Sequence, residues 1–156
     1  MMDARSTPLP NGIRRAGADD VSNLHEVAWA SFESQVAPHY TEAGVAEYRR
    51  FCSPEAIEER MSLGHHFWLV EAPQGATVAM AEVRAGHHLA MLFVQPGHCE
   101  HGTGSRLLDR LASEASEPLT VNASVNALGF YSKRGFEATG PERDEKGIRF
   151  VPMRAR

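Results

Sequence analysis

Two short stretches have residue types and spacings that could do chemistry. The first is Gly102-Thr103-Gly104-Ser105, which follows an apolar run ending at Val94-Gln95-Pro96 and precedes the helically spaced Leu107, Leu108, Leu111, Ala112 and Ala115. The first turn of a helix leaves main-chain N–H groups unpaired and carries the positive end of the dipole, so it receives anions. Glycine at 102 and 104 removes the Cβ that would stand in a phosphate's way, and Ser105 adds a hydroxyl. Two familiar phosphate loops do not fit. One needs Lys and then Ser or Thr after the last glycine, where this chain has Ser105-Arg106; the other needs a third glycine, where it has Leu107. The second stretch is His98-Cys99-Glu100-His101, part of a set of eight histidines. These side chains could hold zinc, but no distant second pair stands at a metal spacing, and neighbours such as His87-His88 point to opposite faces of a strand. No metal is expected.

The surrounding pattern says what must hold the glycine loop. Gly12 to Ala16 reads as a strand. Asp19 or Asp20 can cap a helix through Val21, Leu24, Ala28 and Phe32; Thr41 can cap a second helix carrying Val45 and Tyr48; Ser53-Pro54 opens a third with Ile57 and Met61. Phe67–Val70, Thr77–Arg84 and His88–Val94 read as three consecutive strands, antiparallel because their connections are too short for crossovers. After the helix that follows Gly104 come a strand at Leu119–Asn122, a helix from Ser124 to Lys133 ended by Gly135, and closing strands at Phe136–Thr139 and Ile148–Met153. The expected architecture is a mixed α/β sheet of about seven strands with four to five helices, in one domain over residues 12–156 behind a loose tail, residues 1–11.

Composition removes several classes. Of 156 residues, 42% are hydrophobic and 23% charged, which is a globular rather than a disordered balance. The longest apolar run, Leu89–Val94, is far short of the roughly 20 residues a bilayer span needs, so no membrane partner is expected. A formal charge of −4 argues against nucleic acid. The N-terminal residues lack the apolar stretch of a secretory signal, which favours the cytoplasm, where Cys52 and Cys99 would remain free thiols.

Val94-Gln95-Pro96 followed by Gly102-Thr103-Gly104-Ser105 resembles the acetyl-coenzyme A signature of the GNAT superfamily of N-acetyltransferases. The later stretch Val121-Asn122-Ala123-Ser124, Ala127 and Phe130-Tyr131-Ser132-Lys133-Arg134-Gly135-Phe136 resembles the same superfamily's strand and helix ending in Tyr-x-x-x-Gly-Phe, and Gly147 to Met153 resembles its last strand. The resemblance runs from about Gly12 to the end. It implies a sheet splayed between the fourth and fifth strands, with the pantetheine arm of acetyl-CoA in the wedge against Leu92, Phe93 and Val94. It implies the pyrophosphate on Cys99, Glu100, His101, Gly102, Thr103, Gly104 and Ser105, with Asn122, Asn126, Phe130 and Tyr131 completing the cofactor site. The superfamily usually has Gln or Arg where this chain has Cys99, and Glu100 adds a negative charge, so weaker coenzyme A affinity is expected.

The resemblance also implies a reaction: transfer of the acetyl group to a primary amine by direct attack in a ternary complex. Tyr131 would be the general acid that protonates the leaving thiolate, and the Val94 N–H would meet the thioester carbonyl. His88–Val94 holds no carboxylate, so the candidate bases are Glu82, His88 or His66, unless the amine loses its proton unaided. Trp29, His39 and Tyr40, from the first helices and their loop, are the candidate acceptor-binding residues. The acceptor is a small-molecule or peptide amine, and a homodimer through an edge or exchanged strand at Ile148–Met153 is compatible with the superfamily. A non-catalytic module that binds or senses acyl-coenzyme A would use the same fold and loop.

Overall fold

The computed structural model describes residues 12–98 and 102–156. Eight strands form one mixed sheet: β1 (Ile13–Arg15), β2 (His66–Glu71), β3 (Thr77–Arg84), β4 (His88–Val94), β5 (Thr120–Ser124), β6 (Phe136–Ala138), β7 (Arg143–Glu145) and β8 (Ile148–Ala155). Their order is β1-β2-β3-β4-β5-β8-β6, with β7 also paired to β8. Every pairing is antiparallel except β4 with β5. Five α-helices accompany it: α1 (Val21–Gln35), α2 (Glu42–Phe51), α3 (Pro54–Ser62), α4 (Thr103–Glu114) and α5 (Leu128–Ser132). The expected tail, residues 1–11, lies outside the described residues.

Each face of the sheet has its own core. Leu107, Leu108 and Leu111 of α4 and Tyr131 of α5 pack with Ala79, Ala81, Leu89 and Val121 on one face. Val21, Leu24, Val27 and Ala28 of α1 and Ile57 of α3 pack with Phe67, Leu69, Met80 and Met91 on the other. Each such leucine removed from water contributes roughly 2 kcal/mol. Thr41 and Ser53 cap α2 and α3 as their types predict, their hydroxyls accepting from the Gly44 and Ala56 N–H groups. Asp20 does not cap α1 with its side chain. Its carboxylate turns back to Arg14, 2.9 Å, and to the Gly17 N–H, 2.8 Å.

The sheet agrees with the about seven strands expected, with β7 as a strand the pattern did not show: Arg143, Asp144 and Glu145 are all exposed and charged, so they carry no apolar alternation. They become a strand because Lys146 and Gly147, at φ +57° and +84°, form a two-residue hairpin turn that lays β7 on β8. Ile148–Met153, however, is not an edge. It lies inside β8, which pairs with β5 on one side and with β6 and β7 on the other.

Candidate active site

The parallel pair is where the sheet opens. β4 and β5 meet only at His88 with Thr120 and Leu89 with Val121, although both strands continue. The cause lies in β4's other partnership: Leu89 and Met91 oppose the consecutive residues Val83 and Glu82, so Ala90 is an extra, bulged residue. The bulge turns Leu89 to the α4–α5 face and Met91 to the α1–α3 face, and bends the strand just past its last pair with β5. Beyond it, the Gln95 N–H donates to the Val78 carbonyl, 2.8 Å, which fixes the alternation of the β3–β4 ladder. Leu92 and Val94 fall on its non-hydrogen-bonded pairs, so their own N–H and C=O groups point away from β3, towards the gap. The Val94 carbonyl accepts from Ser31 Oγ of α1, 2.8 Å; Ser31 is fully buried.

A cavity of about 340 Å³ occupies this gap and reaches both faces. Leu92 of β4, Asn122 and Ala123 of β5, and Ala127 and Tyr131 line one end; Phe32, Tyr40, Tyr48, Phe51 and Phe150 line the other. Phe93 and His88 also line it, whereas Asn126 is exposed and does not.

The glycine loop opens α4 as expected. Gly102 takes the left-handed conformation, φ +69°, immediately before the helix, and a Cβ on Gly104 would stand 3.4 Å from the Phe130 ring and 3.5 Å from Val94 Cγ2. A Cβ at 104 would thus just fill the contact between α4's first turn, α5 and the end of β4, with no room for a larger side chain. Thr103 and Gly104 are buried and Ser105 is half-buried. Arg134, which stood in the sequence only within the Tyr-x-x-x-Gly-Phe stretch, reaches back to this turn. Its Nε donates to Ser105 Oγ, 2.8 Å, Nη2 reaches the same oxygen, and Nη1 donates to the Phe130 carbonyl, 2.8 Å. Its guanidinium lies 3.8 Å over the Phe130 ring. A cation thus stands beside the helix mouth, and pairing at 29 residues' separation left no local signal of it. Cys99, Glu100 and His101 lie outside the described residues.

Tyr131 is 5% exposed, its ring edge-on to Phe130 and Phe136. Burial pushes its phenol well above the ordinary tyrosine value, so it keeps its proton.

The candidate bases fare differently. Glu82 is fully buried, and both its oxygens are engaged: Arg60 Nε and Nη2 donate to them at 2.8 and 3.1 Å, and His65 Nδ1 is 2.6 Å away. It does not line the cavity, and this ion cluster leaves it no oxygen presented to the gap. The sequence could not show that Arg60, 22 residues earlier, answers it. His66 is exposed and outside the cavity lining. His88 lines the cavity with Nδ1 2.7 Å from Thr120 Oγ1. Burial, with Arg84 and His87 nearby, pulls its imidazole down to about 4, which leaves it neutral but weakly basic.

Of the acceptor-side expectations, Tyr40 lines the cavity, its hydroxyl donating to the Arg149 carbonyl, 3.3 Å. Trp29 does not; it stacks on Phe32, 5.6 Å between centroids, beneath Arg49. His39 is exposed and also outside the lining. Tyr48, Phe51 and Phe150 were not singled out, since each reads as an ordinary apolar position of its own element. Cys52 is a free, buried thiol whose burial raises it to about 11, and no cluster of three metal-ligating side chains exists among the described residues. No helix among them is long and apolar enough to cross a membrane.

Comparison with known proteins agrees with this geometry. Residues 36–156 match the family model of the acetyltransferase (GNAT) domain. The chain is 40% identical over 62 residues to YafP of Escherichia coli K12, an uncharacterized N-acetyltransferase; the match spans 40% of this chain and 41% of that protein. The fold is similar to a GCN5-related N-acetyltransferase of Rhodopseudomonas palustris, with TM-score 0.81 and 25% identity over 96% of this chain and 97% of that one. It is also similar to the PaiA N-acetyltransferase of Thermoplasma acidophilum, solved in complex with coenzyme A, with TM-score 0.70 and 21% identity over 95% and 100%. With its sheet splayed between β4 and β5, its glycine-opened α4 and a family match over most of its length, the chain belongs to the GNAT acetyltransferase family.

Proposed function

We propose that the protein transfers the acetyl group of acetyl-CoA to a primary amine by direct attack in a ternary complex, in the cytoplasm, as one unit spanning residues 12–156. The observation that carries this reading is the cavity in the β4–β5 gap, lined by residues from both faces of the sheet. A thioester entering from the α4–α5 face and an amine entering from the α1–α2 face would meet inside it. Main-chain groups of Leu92 and Val94, aimed at the gap, suit the amides of a pantetheine arm. The first-turn amides of α4, beside Arg134 and Ser105, suit a diphosphate. The Val94 N–H suits the carbonyl oxygen that gains charge during attack.

Tyr131 supplies the proton for the leaving group. The amine, having passed one proton to water, forms the new N–C bond at the thioester carbonyl. Collapse of the tetrahedral adduct breaks the C–S bond, and the thiolate takes the phenolic proton. The nitrogen gives its remaining excess proton to water, and water restores the phenol. The products are the amide and free thiol. Glu82 has no part in this, because Arg60 and His65 hold its carboxylate.

Tyr131→Phe tests the reading. An acetyltransferase loses turnover, by about 100-fold, while coenzyme A affinity is retained. A sensing module on the same fold shows no acetyl-CoA-dependent release of free thiol with any amine, before or after the substitution.

A further inference from the structure

We propose that the acceptor is a small primary amine carried on a flat apolar body, an aromatic ring above all, seated between α2 and the β7–β8 hairpin; this rests on the N-acetyltransferase reading above. The first ground is the wall. Tyr40, Tyr48, Phe51, Phe93 and Phe150, from a loop, α2, β4 and β8, bring rings to the end of the cavity away from Tyr131. Several are preassembled: Tyr48 stacks on Phe32 at 4.2 Å and 3°, Phe93 meets Tyr48 edge-on at 6.0 Å, and Tyr40 meets Phe32 edge-on at 5.5 Å. Rings offer a flat guest stacked or edge-on partners, and an ammonium a π face.

Charge is the second ground. The two carboxylates that line the cavity already have cations. Glu47 is 2.5 Å from Arg50 and 3.9 Å from Lys146, and Glu145 is 3.1 Å from Arg143. A polyamine or an aminoglycoside, which needs several counter-charges, would have to displace them.

Size and proton chemistry agree. A cavity of about 340 Å³ is at the low end for small-molecule sites and must also admit the acetyl end of the thioester. The two carboxylates of the lining are already ion-paired and the neutral His88 is a weak base, so the walls themselves must loosen the amine's proton. Apolar walls do this by penalising the ammonium form. An α-amino group, at about 8, yields its proton more easily than a lysine ε-amine at about 10.4.

The test compares phenylalaninamide and 2-phenylethylamine with spermidine, kanamycin and an N-terminally blocked lysine peptide, following free-thiol release from acetyl-CoA, with acetyl-CoA binding measured separately by calorimetry. The expected result is a kcat/KM at least tenfold higher for the aromatic amines. Tyr40→Ala should raise their KM about tenfold, with a smaller change in kcat and none in acetyl-CoA affinity. Faster turnover of spermidine, kanamycin or the lysine peptide overturns the proposal, as does a Tyr40→Ala protein with unchanged KM. Acetyl-CoA binding without acceleration by any aromatic amine overturns this acceptor class and leaves the transferase reading standing. Failure of acetyl-CoA to bind overturns the transferase reading itself.

Discussion

The two ends of the cavity are made of different material. Towards α5, the groups proposed to bind acetyl-CoA are largely main chain: the Leu92 and Val94 peptides turned to the gap and, beyond the cavity lining, the first-turn amides of α4 opened by Gly102. Towards α1, α2 and the β7–β8 hairpin, the wall is side chain, rings above all, braced from behind by the buried Glu82–Arg60–His65 cluster. Main-chain donors keep their positions whatever residue carries them, so that end suits a ligand whose chemistry never changes. Side-chain walls can be re-lettered one residue at a time, which suits an acceptor that differs between relatives on one fold. Substitutions at the two ends should therefore separate cleanly into acetyl-CoA effects and amine effects.

The largest expected effect lies behind the ring wall. Arg60→Met would remove the bidentate partner of the fully buried Glu82 and leave it His65 alone, which costs up to about 3–5 kcal/mol. Chemical denaturation of Arg60→Met and of the Arg60→Met, Glu82→Gln double variant checks this: the double variant should recover part of the loss. Arg60 also donates to the Phe51 carbonyl, 2.7 Å, and lies 3.9 Å over the Phe51 ring, so any folded single variant should show a raised amine KM with unchanged acetyl-CoA KM.

At the main-chain end, Gly104→Val should raise the KM for acetyl-CoA about tenfold or more and leave the amine KM alone. Even a single Cβ there already meets the Phe130 ring at 3.4 Å, so the larger side chain must push α4's mouth away from α5. Steady-state kinetics with each substrate varied in turn separates the two constants. Arg134→Ala should weaken coenzyme A binding a few-fold, and less so at high salt, because its guanidinium is exposed.

Much of the first end was legible in the sequence. Gly102 is glycine for a local reason, its left-handed backbone before α4, and Tyr131 sits in a motif a few residues long, so neighbours in the chain carried the signal; the packing of Gly104 against Phe130 and Val94 is tertiary and was not readable. The bulge at Ala90 did not show, because it depends on how β4 meets β3. As an acceptor wall the rings were legible only at Tyr40; Phe93 was read as a pantetheine contact. Tyr48 looks like one apolar position of an amphipathic helix until Phe32 stacks on it, and Phe150 looks like one residue of a strand until the hairpin turns it in. Glu82 read as a base because a carboxylate on a strand beside the site is conspicuous, whereas the arginine that neutralises it comes from a different helix.

The smallest effect concerns His88, at the point where β4 and β5 still touch. Its folded value, about 4, is below the ordinary histidine value of about 6.5, so the unfolded chain takes up a proton first as pH falls. Stability from this group is complete above pH ~6.5 and drains away as pH falls towards 4, by roughly 1–2 kcal/mol after allowing for partial exposure. Thermal melts between pH 7 and 4 should show that loss, and His88→Asn should flatten it.

The account depends most on the gap between β4 and β5 being the thioester channel. Amide NMR of the folded protein titrated with coenzyme A reads this residue by residue. The expected result is saturable shifts, with slowed hydrogen exchange, at Leu92, Val94 and Gly102–Ser105, and little change along α2. Saturable binding that leaves those amides untouched and moves others instead would contradict it.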